Sequence, residues 1–305
     1  MKKLYFIHIS FLSLMLFIFL SSFAQKEIDF RINLEKGVCF ETQTIILSEN
    51  SMHTSKEVQK RKNESIVTIQ FSVAGKKNDF YCINFMYTDY YLRVTGGVRE
   101  FAIEPKKADT MNILDVSTQI AIIINKPFSA ELSQKGEIIA IKGNKDVAKE
   151  FKAKTKKFSP DLRKQVYITV NSLTESKSIA SLIENWTNYI PSRSVKIGDQ
   201  WDVLKDSVFT QYTFVAETDT TYIIEGIGNS KKTITNEIQN GMVMITHTED
   251  EFSVYIEIDK LTFLPKIITK EFEVLMKSEI KEFTAFSQPP TQSHTTFILK
   301  TKNCQ

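Results

Sequence analysis

Cysteine and histidine, the residues from which metal and nucleophile sites are most often built, are scarce: 305 residues hold three cysteines and four histidines. Cys39, Cys82 and Cys304 are too few for a disulfide framework, and their spacing matches no zinc site. None of His53, His247 and His294 has a second histidine or a cysteine at metal-ligand spacing, so neither a metal nor a cofactor is expected. Gly-x-Ser-x-Gly elbows, phosphate loops and Gly-x-Gly-x-x-Gly turns are also missing. No catalytic residue can be named on this basis, and a hydrolase is the one enzyme class left worth screening. A charge excess is lacking as well, which removes the simplest support for nucleic-acid binding.

Long apolar runs are missing too, except at the start. Lys2 and Lys3 precede a charge-free run from Leu4 to Leu20 that ends in Ser22-Phe23-Ala24, with small residues at the two positions a signal peptidase inspects. Residues 1–24 are therefore expected to be a signal peptide cut between Ala24 and Gln25, leaving no membrane span. The first cysteine is Cys39, far from that boundary, so no lipid anchor is expected there. Cleavage takes 39 basic residues to 37 against 36 acidic ones, a formal charge of +1. The expected location is secreted or periplasmic, in a Gram-negative cell envelope.

What is present is alternation. Arg31 to Leu47 and Ser65 to Val73 alternate apolar and polar residues, the period of half-buried strands. Ser48 to Glu64 between them is polar throughout and is expected to be a long exposed loop. Further strands are expected at Phe80 to Val94, Val98 to Glu104 and Gln119 to Asn125. Phe128 to Leu132 and Glu137 to Ile141 form a hairpin turning at Gln134 to Gly136. The period then changes. Val147, Ala148 and Phe151 fall at helical spacing, Ser159-Pro160 is an N-cap with proline at the first helical position, and Ile179, Leu182, Ile183 and Trp186 form a stripe. From Val195 strands return as seven short pieces, the last Thr295 to Lys300. The expected fold is α+β and β-rich: a β region at 25–143, a helical segment at 144–190 and a β region at 191–305. The two β regions are read as similar curved-sheet lobes bridged by helices, with one continuous sheet as the alternative.

Aromatic residues are the positive signal. Tyr81, Phe85, Tyr87 and Tyr91 share a side of the expected third strand and are the candidate wall of an apolar ligand site; the competing reading makes both sides of that strand core. Cys39 and Cys82 either form a bridge, in an oxidising compartment, or remain free and buried. His247 is expected on a strand facing solvent, and Glu249-Asp250-Glu251 in a solvated turn.

At Val195-Lys-Ile-Gly-Asp-Gln-Trp201, at Ile258-Asp-Lys-Leu-Thr-Phe-Leu-Pro-Lys266 and in the Pro127 to Gly143 hairpin, the sequence resembles an exported bacterial family of unknown function. That resemblance implies a signal peptide, a first β region, a helical middle and a second β region. Phe263 stands where the family pattern has glycine. In overall plan the chain is distantly similar to periplasmic lipoprotein-carrier folds, an analogy of fold alone. The functional expectation is a non-enzymatic envelope protein that binds an apolar or extended ligand, such as a lipid, lipoprotein segment or peptide, on a sheet face. The alternative is a scaffold that recruits another envelope protein through the Ser48 to Glu64 loop or open sheet edges.

Overall fold

The computed structural model describes residues 26–53, 58–96, 100–109, 112–205, 207–237, 243–280 and 291–304. The expected signal peptide and the Ala24–Gln25 junction lie outside the described residues.

Among the described residues, alternation builds one antiparallel sheet of twelve strands. Cys39–His53 (β1), Val58–Lys77 (β2) and Phe80–Thr95 (β3) are long hairpin partners, and Phe101–Ile103 (β4) and Phe128–Ser133 (β5) both pair with β3. Ile138–Lys142 (β6) ends that side of the sheet. Gln200–Lys205 (β7), Val208–Glu217 (β8), Thr221–Glu237 (β9), Val243–Asp259 (β10), Pro265–Ile280 (β11) and Thr291–Asn303 (β12) form a meander on the other side. The two β regions meet where β12 pairs with β1, from Phe40 opposite Asn303 to Met52 opposite Thr291. They are therefore halves of one sheet rather than two separate lobes.

Several sequence expectations are corrected by these elements. Ser48 to Glu64 is no loop: β1 runs on to His53 and β2 starts at Val58, with residues 54–57 outside the described residues. Its charges are tolerated because they pair across strands, Lys60 and Lys62 both with Glu49 at 3.3 and 3.2 Å. Glu249-Asp250-Glu251 lies inside β10, and strands expected as separate pieces merge into β9 and β10. Gln119 to Asn125, expected as a strand, begins instead in Val116–Ala121 (α1), because an unbroken apolar run fits a helical turn as well as a buried strand.

The helical middle comprises Asn144–Lys154 (α2), Pro160–Thr174 (α3) and Ser176–Glu184 (α4). Ser159 caps α3 by accepting a hydrogen bond from the Leu162 amide at 3.3 Å, with Pro160 in the first turn, as the sequence signals. This layer covers one face at one end of the sheet. The Trp186 ring packs edge-on against Phe71 at 4.4 Å, and the Tyr87 hydroxyl donates to the Leu173 carbonyl at 3.0 Å. The run before β1 is clamped in the same layer: Ile28 bridges to Val195, Ile32 donates to the Gln134 carbonyl, and Asn33 to that of Thr262.

The motif residues are turn and core devices. Gly198 turns with φ +91°, Asp199 accepts from the Lys196 amide at 3.2 Å, and the Trp201 indole donates to the Tyr189 carbonyl at 2.9 Å. Asp259 accepts from the amides of Leu261 and Thr262, and Phe263 adopts φ +55° where the family pattern has glycine. Its ring stacks on Tyr222 and meets Phe30 edge-on, contacts that hold a residue in a backbone region L side chains disfavour.

Candidate ligand-binding face

Register shows what the helix-covered face offers beyond the helices. Thr44, Leu299, Ile268, Ile256, Ile224 and Phe214 lie side by side across six strands, and all are buried. One step further from the helical layer, the same face carries Ile46, Phe297, Lys270, Val254, Gly226 and Tyr212. The next row carries Ser48, Thr295, Phe272, Phe252, Gly228 and Thr210, and the one after it Asn50, Ser293, Val274, Asp250, Ser230 and Val208. On β1, β11 and β12 burial falls along this series, with Ile46 37% exposed and Phe297, Phe272 and Val274 half-buried, as is Phe252 on β10, whereas Val254, Tyr212, Thr210 and Ser230 stay buried. The face thus passes from closed core to an apolar shelf and then to a polar margin.

Two glycines shape the shelf. A Cβ at Gly228 would collide with the Phe252 ring and one at Gly226 with Tyr212, so these rings lie over β9. Phe252 also tilts against Phe272, centroids 5.1 Å apart. Lys270 stands among these groups with its Nζ 5.8 Å from the centre of the Phe297 ring. Burial pushes its ammonium down to about 8, because the charged form is the one desolvation penalises. At the polar margin, Ser230 donates to Asp250 Oδ2 at 2.7 Å.

The opposite face is charged. Lys62, Glu49, His294, Glu273 and Glu251 are directly paired across five strands, and all but Lys62 line an open groove of about 630 Å³ where Glu249 joins them. His247 is exposed on this face and shares a hydrogen bond of 3.1 Å with Thr233. Among the described residues, no group of three or more His, Cys, Asp or Glu side chains could hold a metal ion. Among them, also, no helix is long and apolar enough to cross a membrane.

The candidate wall does not assemble as expected. Tyr81, Phe85 and Tyr87 are buried under the helical layer, with the Tyr81 hydroxyl donating to the Ile32 carbonyl at 3.0 Å. Burial pushes the Tyr87 phenol well up. Tyr91 points to the other face, because a bulge opposite Thr68 and Ile69 shifts the alternation of β3. Three of the four are thus core, and the shelf is built by β10, β11 and β12 instead. The overlooked signal was Ile268, Lys270, Phe272 and Val274, an inward series with one lysine in an apolar register.

The bridge between Cys39 and Cys82 is likewise corrected: Cys39 pairs with Cys304, Cα atoms 5.4 Å apart, and Cys82 is free. The reason is strand order. β2 separates Cys39 from Cys82, and two strand spacings of about 4.8 Å exceed a disulfide's reach, whereas β12 adjoins β1.

A family model described as a family of unknown function (DUF6263) matches residues 78–265. No curated protein matches the sequence. Among solved structures, the chain is similar to lipovitellin, in a structure of its lipid–protein interactions, at 11% identity and a TM-score of 0.47, over 88% of this chain and 25% of that one. It is also similar to an outer membrane channel from Pseudomonas putida F1, at 7% identity and a TM-score of 0.22, over 90% of this chain and 98% of that one. The beta domain of a Bordetella autotransporter matches at 6% identity and a TM-score of 0.22, over 88% of this chain and all of that one.

Proposed function

The chain belongs to the DUF6263 family, whose description assigns no activity, and we propose that it is a non-enzymatic exported envelope protein binding an apolar ligand on the shelf above its helical layer. The observation that carries this reading is the run of half-exposed apolar residues on the helix-covered face: Ile46, Phe297, Phe252, Phe272 and Val274. A ligand covering about 300 Å² of apolar surface would gain about 7 kcal/mol before the cost of association, enough for weak but useful affinity. Export is supported by the charge-free run from Leu4 to Leu20 and its small-residue exit at Ala24. A scaffold role loses part of its motive, since Ser48 to His53 and Val58 to Glu64, within the segment expected to recruit a partner, are strand.

The neutral fluorophore N-phenyl-1-naphthylamine, titrated into the purified protein alongside native mass spectrometry, tests the reading. We expect micromolar binding that weakens at least tenfold in Phe272→Asp and in Val274→Asp. Ile227→Asp, an exposed position on the charged face, should leave binding unchanged. Absence of both probe binding and any co-purified ligand would overturn the proposal.

A further inference from the structure

We infer that Lys270 is the anion anchor of the shelf, and that the ligand is an alkyl chain ending in a carboxylate, its acid group on Lys270 and its chain along Phe252, Phe272 and Val274. The inference rests on the apolar-ligand reading and adds the chemical class of the ligand.

The neighbourhood of Lys270 is uncharged. Its cross-strand partners are Phe297 and Val254, its neighbours on the same side of β11 are Ile268 and Phe272, and the diagonal positions hold Ile256, Phe252, Leu299 and Thr295. Among the described residues, no carboxylate pairs with Lys270, and its ammonium lies against the Phe297 ring. Other lysines are served differently. Lys60 and Lys62 share Glu49, Lys231 has Glu249, and Lys260, which also lies over an aromatic ring, is paired with Glu217. A lysine drawn out of water without a counter-charge favours any ligand that brings one. At neutral pH most of its amine is still protonated, so the charge awaiting a partner is present.

Geometry also selects the ligand. A single ammonium balances a monoanion, whereas a phosphate dianion would keep excess charge in apolar surroundings. The residues that continue from Lys270 away from the core are aromatic and aliphatic, which suits an alkyl tail rather than a polar one. Asp250, further out on the same face, disfavours a second acid group there.

The test compares laurate, dodecanol and acetate as competitors of N-phenyl-1-naphthylamine on the full chain, in wild type, Lys270→Met and Lys270→Arg. We expect wild type to bind laurate at least tenfold more tightly than dodecanol and to ignore acetate. Lys270→Met should still bind dodecanol but bind laurate no better than dodecanol, and a far-UV circular dichroism spectrum matching wild type reports an intact fold. Lys270→Arg should keep the preference. Equal wild-type binding of laurate and dodecanol, or a preference that survives Lys270→Met, would overturn the anchor and leave the shelf. Displacement by acetate alone would mean a bare-anion site and overturn the amphiphile. No binding of any probe would remove the shelf itself.

Discussion

Setting an ammonium between Phe297 and Val254 costs the fold something, and the cost depends on pH. Burial holds the folded value of Lys270 at about 8, below its ordinary 10.5, so the protonated form destabilises the folded state. The full penalty applies below pH 8. As pH rises towards 10.5 the folded chain sheds this proton before the unfolded chain does, and the penalty fades. The shift corresponds to about 3 kcal/mol at 1.36 kcal/mol per unit. Lys270→Met should therefore be more stable than wild type by about 2–3 kcal/mol at pH 7, with the gap nearly closed at pH 10.5; urea unfolding at both pH values measures it. A gap that does not depend on pH would remove desolvation as its cause. Burial acts the other way on the Tyr212 phenol, pushed up to about 12, so both variants should weaken together at high pH as the unfolded tyrosine ionises first.

Single turns decide whether the helical layer closes on the sheet. Gly136, in the hairpin between β5 and β6, has φ +85°, and the space a Cβ would need is filled by Thr187. Thr187 donates to the Gly136 carbonyl at 2.9 Å, so the turn serves as the latch for the segment after α4. Gly136→Ala should cost about 2–4 kcal/mol, from the left-handed backbone together with the steric conflict, read as a lower urea midpoint at unchanged slope. This turn was legible because glycine and a serine bracket two apolar runs. So was α3, because serine and proline announce its start. Ser48 to Glu64 was not legible, since a strand whose outward positions hold ion pairs has the composition of a loop. Nor was the shelf: the β3 bulge that turns Tyr91 away leaves no mark in the alternation of β3, as both its faces carry apolar side chains. The positions of Phe252, Phe272 and Phe297 in their strands could be read, but that they are neighbours follows only from strand order.

At the scale of the molecule, one junction makes a single sheet from two halves. β1 and β12 pair along their length, and Cys39–Cys304 fastens the end of that junction. Gln70 lies over it, its amide 3.4 Å from both sulfurs. The bridge spans 265 residues of sequence, so it constrains nearly the whole unfolded chain. Replacing Cys39 and Cys304 by serine should lower stability by about 2–5 kcal/mol, and dithiothreitol should lower wild type equally without affecting the double variant. A reduced protein as stable as the oxidised one would show that pairing of the strands alone holds the junction.

The same junction has a consequence for biogenesis. Among the described strands β1 leaves the ribosome before the others, and β12, the neighbour that satisfies its free edge, leaves after them. Until β12 arrives, the earlier half of the sheet presents an unpaired backbone edge, the kind of template that draws in other chains. Folding dominated by so distant a pairing is slow. Cells making this protein are thus expected to depend on a holdase during its synthesis, and its depletion should send newly made chains into aggregates while leaving finished molecules untouched.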